Sequence, residues 1–213
     1  MEIDELFSLE HTLAQAYLAR FRYPWAALEG LKSWILQTGP GLEGYREVQP
    51  GVWVHPSARM ADSAQVAAPC IIGPDTEVRH GAFIRGSVLV GAGCVVGNST
   101  ELKNAILFDG VQVPHYNYVG DSILGYKAHL GAGAVCSNVR GDKGLVVVGG
   151  IPTGRKKLGA MVGDFGEIGC HAVLNPGAVI GRGARVYPVS SVRGMVPAGY
   201  IYKNNGTMTE IKR

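Results

Sequence analysis

His115 lies in Val113-Pro114-His115-Tyr116-Asn117-Tyr118-Val119-Gly120-Asp121, between polar and aromatic neighbours. An imidazole there can take a proton from an attacking amine or hydroxyl near neutral pH. Taken alone, a single histidine is more often a structural or surface residue. Lys103 follows Arg85 by three lengths of a hexapeptide. On a repeat of that period they share one corner, about 5 Å apart along the stack, and two cations so placed suit an anion between them. The plain alternative is a pair of solvated charges. Arg155-Lys156-Lys157 forms a compact basic triplet fit for a phosphate-rich cofactor, or an ordinary solvated loop.

Other constellations carry less. Cys70, Cys94, Cys136 and Cys170 have no CxxC spacing, which argues against disulfides and zinc and reads as small buried side chains. His80, His115, His129 and His171 supply enough imidazoles for a carbonic-anhydrase-like metal site on this architecture. No loop pairs two of them at the close spacing such a site uses, so no metal ligand is assigned. There is no Walker loop or GxGxxG after a strand, and only about 50 residues precede the repeats, which excludes a nucleotidyltransferase domain within this chain.

These residues sit on a six-residue periodicity. Stepping by six from Val54 gives Met60, Val66, Ile72, Val78, Ile84, Val90, Val96, Leu102 and Phe108, all apolar. Two positions before them runs a compact column, Ala58, Ala64, Cys70, Thr76, Ala82, Val88, Cys94 and Thr100. Three such units close a triangular coil whose short strands stack in parallel. The phase resumes as Val162, Ile168, Leu174, Ile180, Val186 and Val192, giving roughly eight coils. It breaks between Phe108 and Leu124 and again between Cys136 and Val162, and such interruptions are where function tends to be mounted.

The flanks differ. Residues 7 to 21 and 24 to 38 read as helices that cover the open first coil or pack on a neighbour. Pro24 opens the second, Trp25, Leu28, Leu31, Trp34 and Ile35 share a face, and Gly39 ends it. Asn205-Gly206 within Ile201 to Glu210 predicts a hairpin, read as an arm towards another subunit. The division is 1–45 helical segment, 46–198 repeat domain and 199–213 arm. A net charge of +3 offers no broad surface for nucleic acid, and no run of about 18 apolar residues predicts a membrane span. The acidic start MEIDELFSLEH lacks a secretory pattern and reads as cytoplasmic.

The pattern resembles the hexapeptide-repeat acyltransferase superfamily, which implies an all-β, left-handed parallel β-helix and a homotrimer. The stretch NSTELKNAILFDGVQVPHYNYVGDSILGYKAHLGAGAVCSN is similar to the acetyltransferase domain of bifunctional N-acetylglucosamine-1-phosphate uridyltransferases. The YPW helix and the LNPGAVIG and YPVSSVRG coils look like stand-alone pyrophosphorylase-related relatives. The resemblance implies acetyl transfer from acetyl-CoA to a glucosamine-1-phosphate-like acceptor in nucleotide-sugar metabolism, without a metal. It makes His115 of the His-x-x-Tyr-x-Gly-Asp stretch the general base. It puts Arg85, Lys103 and Tyr118 on the sugar phosphate, with Asn138 at a matching later position. His129 stands where the family has an asparagine, and Cys170 where it has a serine near the cofactor. Arg155, Lys156 and Lys157 are then candidates for the phosphates of coenzyme A. The rival from another class is a non-catalytic trimeric sugar-phosphate binder.

Overall fold

The structure, a computed structural model, describes residues 1–212. Its body is the left-handed parallel β-helix, with about eight turns. The six-residue columns point inward: Ile72, Val78, Ile84, Val90, Val96 and Leu102 are all buried, with Cys70, Thr76, Ala82, Val88, Cys94 and Thr100 beside them. Removing these aliphatic side chains from water gives each coil its stability, about 1.5–3 kcal/mol per large residue.

Each turn of the prism supplies three faces. One, here the His129 face, is a nine-stranded sheet. Its outward row runs Arg59, Glu77, Val95, Gln112, His129, Glu167 and Arg185. The next, the Tyr118 face, has the outward row Gln65, Phe83, Glu101, Tyr118, Val135, Val173 and Ser191. On the third, the outward residues Trp53, Ile71, Leu89, Ile106, Ile123, Met161 and Val179 are buried as well. Strands apolar on both sides must be covered on both sides.

The cover comes from the N-terminus. Three helices, α1 (Ile3–Leu6), α2 (Gln15–Leu18) and α3 (Pro24–Thr38), carry the buried residues Leu6, Leu18, Trp25, Leu28, Leu31 and Ile35. α3 packs on the strands around Leu89, Ile106 and Ile123, so the helical segment lies along a face and does not close the first coil. Two expectations are corrected here. The first coil is edged on this face by Arg46–Gln49, antiparallel to Val52–Val54. Residues 7 to 21 are not one helix, because their backbone groups are taken by the coils: Ser8 N–H donates to Asp164, and the His11 carbonyl accepts from Asp109 N–H. At the far end Tyr200–Tyr202 pairs parallel with Arg185–Val186, and Met208–Glu210 returns antiparallel through Lys203 to Thr207. The hairpin thus completes the His129 face of the stack, and Arg213 lies outside the described residues. No helix of the described residues is long and apolar enough to cross a membrane.

The first break in register falls earlier than the sequence suggests. Leu102 pairs with Ile84, a full three hexads back, whereas Ala105 pairs with Val88, one position short of three hexads. One residue is missing at the Lys103-Asn104 corner, so Leu107 and not Phe108 continues the inner column. Phe108 turns to the neighbouring corner, where its ring centroid lies 5.1 Å from that of Phe7. Because the corner is tight, Glu101–Leu107 and Tyr118–Leu124 run straight through it and join two faces into one fourteen-stranded sheet. The second break is an excursion after Cys136 carrying the small hairpin Val147–Val148 with Ile151–Pro152. Beyond it Met161 pairs directly with Ile123, so the chain leaves the stack and rejoins it without a gap between coils.

Candidate functional site

The Tyr118 face runs between two corners that hold most of the candidate residues. At one end stands the His115 corner. The His115 ring is exposed and makes no side-chain hydrogen bond among the described residues, while its backbone is fixed from several sides. Its N–H donates to the Asn117 side-chain carbonyl, and its carbonyl accepts from Gly133 N–H. Asn117 is buried and donates to the carbonyls of Gly131 and Ala134, while its own N–H donates to Thr100 Oγ1. An imidazole open to solvent on so firmly held a backbone is placed to accept a proton from a bound acceptor. Tyr116, with φ of 37°, packs between His115 and His171, each ring centroid 6.4 Å away.

Cys170 is exposed on this same corner, one position before His171. That corrects the reading of all four cysteines as buried. The other three are enclosed, and burial pushes the Cys94 and Cys136 thiols up to about 12 and raises that of Cys70 too, leaving them unreactive.

The other end is the Lys103 corner. Lys103 Nζ donates to both Asp121 oxygens at 3.1 Å. Asn104 Nδ2 donates to Asp121 Oδ1 at 2.8 Å, and Asn138 Nδ2 to Oδ2. Asp121 is 4% exposed and is the hub of this corner. Its φ of 49° and that of Asn104, 48°, are of the left-handed kind that these two residue types tolerate best. Arg85 reaches Glu101 at 2.7 Å. Both expected phosphate-binding cations therefore face protein carboxylates.

Tyr118 sits on the strand linking the corners. Burial raises its phenol pKa, and the Asp121 and Glu101 carboxylates raise it further, so the hydroxyl stays protonated as a donor. Its ring folds back over Gly120, where a Cβ would come within 2.4 Å of the phenol oxygen.

Two candidates, His129 and Arg155, lie elsewhere within the single chain. His129 is on the adjacent face, its Nδ1 2.9 Å from Glu167 Oε2. Arg155 pairs with Glu29 of α3 at 3.3 Å, on the helix-covered side, while Lys156 and Lys157 are exposed. The structure brings His115, Tyr118, Lys103 and Asn138 to one face, with Arg85 a coil below; of the basic triplet, Arg155 turns to α3, while the Lys157 backbone bridges Val139 beside Asn138.

Asp121 closes the His-x-x-Tyr-x-Gly-Asp stretch, yet the motif by itself gives it no role. Asp121→Asn removes the counter-charge of Lys103 and sets an amide N–H₂ against other donors. The expected result is a loss of about 2 kcal/mol, seen as a lower urea midpoint with unchanged m-value.

Fold and site define a hexapeptide-repeat β-helix with a histidine-bearing face. Residues 66–150 match the family model described as the GMPPB C-terminal domain. Over 103 residues, 46% of this chain and 26% of the relative, the sequence is 36% identical to the bifunctional sugar-1-phosphate nucleotidylyltransferase/acetyltransferase of Sulfurisphaera tokodaii. It is 29% identical to the bifunctional protein GlmU of Caldanaerobacter subterraneus over 174 residues, 78% of this chain and 35% of that protein. The chain spans about a quarter of the length of the curated relatives it matches first. Among solved structures, the acetyltransferase domain of PglB from Neisseria gonorrhoeae in complex with acetyl coenzyme A is 19% identical. The likeness covers 73% of this chain and 55% of that one at a TM-score of 0.34. The UDP-N-acetylglucosamine acyltransferase of Francisella novicida is 15% identical, covering 76% and 68% at a TM-score of 0.44.

Proposed function

We propose that this chain is an acetyl-CoA-dependent acetyltransferase acting on an amino-sugar phosphate, with His115 as general base and residues 46–198 as its catalytic unit. The observation that carries the reading is the 36% identity to a nucleotidylyltransferase/acetyltransferase, together with the exposed, backbone-fixed His115. In this reading the imidazole removes a proton as the acceptor nitrogen attacks the thioester carbonyl, and coenzyme A leaves as the thiol. Tyr118 donates to the sugar phosphate, while Lys103, held by Asp121, lends positive charge at the other corner. Arg85 lies one coil below. Cys170 lines the approach of the donor at the His115 corner.

The test is acetyl-CoA consumption over glucosamine-1-phosphate, galactosamine-1-phosphate and their nucleotide forms. Turnover with one of them supports the reading. Tight sugar-phosphate binding with no thioester cleavage would instead make the chain a non-catalytic binder.

The reading includes a homotrimer. Within one chain the Tyr118 face has no opposing wall, and ligand clefts need one. A second copy offering its His129 face would supply that wall and bring His129 and Glu167 to the site. Light scattering at micromolar concentration should give three times the monomer mass, and a stable monomer would overturn this.

A further inference from the structure

The Lys103 corner continues upward past Asn138 to a cavity of about 450 Å³ between the excursion loop and the two coils above it. Ser137, Arg140, Asp142, Asn175, Arg193 and Gly194 line it. The register places the cavity on the same edge of the prism as Lys103: Cys136 pairs with Leu174, and Leu174 with Val192, so Ser137, Asn175 and Arg193 each follow an inward residue of the Tyr118 face.

The cations along this edge differ in how they are compensated. Arg85 has Glu101 and Lys103 has Asp121. Arg140 holds Asp142 through Nε at 2.9 Å and Nη2 at 2.6 Å, which leaves other N–H groups of its fork uncommitted. Arg193 has neither an ion pair nor a side-chain hydrogen bond among the described residues. The two guanidinium groups and one carboxylate leave the cavity a net charge of +1. Its volume falls within the range of small-molecule sites and exceeds what a lone inorganic ion fills. A planar fork suits a phosphate oxygen pair.

We propose that the Arg140–Arg193 cavity binds the phosphate of an organic phosphate, and that Arg193, not the already paired Arg85 and Lys103, supplies its principal charge. This deepens the transferase reading, in which donor and acceptor both carry phosphates, and it rests on that reading for the identity of the ligand.

The experiment is calorimetry on the full chain with glucosamine-1-phosphate against glucosamine, and coenzyme A against pantetheine, for wild type, Arg193→Ala and Arg193→Lys. Arg193→Ala should weaken one phosphate-bearing probe about 10- to 150-fold, with Arg193→Lys between it and wild type. The phosphate-free counterpart should be unaffected. Loss on the sugar phosphate assigns the cavity to the acceptor, and loss on coenzyme A assigns it to the donor. Wild-type affinity of Arg193→Ala for both phosphate probes overturns the proposal, as does failure of wild type to bind either. Binding is read without turnover, so the transferase reading fails separately if acetyl-CoA is never consumed while a phosphate probe still binds through Arg193.

Discussion

His115→Ala is expected to lower turnover by roughly 100- to 10,000-fold, the range for losing a general base, with coenzyme A still bound and the assembly intact. The fold should survive because the imidazole is exposed, and because the corner is held by Asn117, Thr100 and the Gly133 N–H, none of which needs the ring. Stopped-time assays of free thiol released from acetyl-CoA check this. Near-normal turnover in the variant would remove His115 from the mechanism and turn attention to His129, which the proposed second copy would bring to the site.

Gly97→Ala is expected to be among the most damaging single-methyl changes in the chain. A Cβ at Gly97 would sit 1.6 Å from the Pro114 carbonyl oxygen and 2.0 Å from its carbon. Those are backbone atoms of the next coil, beside His115, and they cannot swing aside. The coils here are one residue shorter than elsewhere, and Gly97 lets the two strands approach. Relieving the clash means shifting the Pro114-His115 backbone, at about 3 kcal/mol. For a chain of this size that is roughly 6–12 °C in midpoint by calorimetry, with turnover reduced because the base moves. Gly41→Ala, where a Cβ meets nothing within 4 Å, is the control and should change stability by less than about 0.5 kcal/mol.

Much of the stack can be counted from the sequence, because inward residues of a coil must be apolar whatever surrounds it. Corners obey no such rule, so the missing residue at Lys103-Asn104 leaves no mark in the apolar pattern, and Phe108 falls on the six-residue step while lying outside the column. The buried outer layer had a readable signal. Val52-Trp53-Val54, Cys70-Ile71-Ile72 and Val88-Leu89-Val90 are apolar at all three positions in successive coils, unlike Glu77-Val78 or Gln65-Val66 on the open faces. Such runs require a cover, and the amphipathic α3 is the candidate at hand.

The site was legible in the same uneven way. The eighteen-residue step that aligns Arg85 with Lys103 reaches Asp121 from Lys103, one position past Gly120, its register partner in this shortened coil. Continuing that step already sets a carboxylate beside Lys103, the pairing the structure displays. That His129 looks out from a different face than Tyr118 also follows from counting, as nearly two hexads separate them and a full coil takes three. That Arg155 turns to Glu29 could not be counted, since the excursion loop obeys no repeat.

The N-terminal segment also changes how the molecule should come apart. Coils that touch only their neighbours melt inward from whichever end is weaker. Here Gly39 packs against Trp53 in the first coil, whereas Ser8 and the carbonyl of Asp4 are bound by Arg182, and Ser8 N–H by Asp164, far up the stack. The segment is a splint fastened at both ends. Peeling off an end coil requires letting go of the splint, and releasing it bares the apolar outer row of every coil in between. Amide hydrogens beneath α3 should therefore exchange only with global opening, while those on the two open faces near the stack ends exchange through local events.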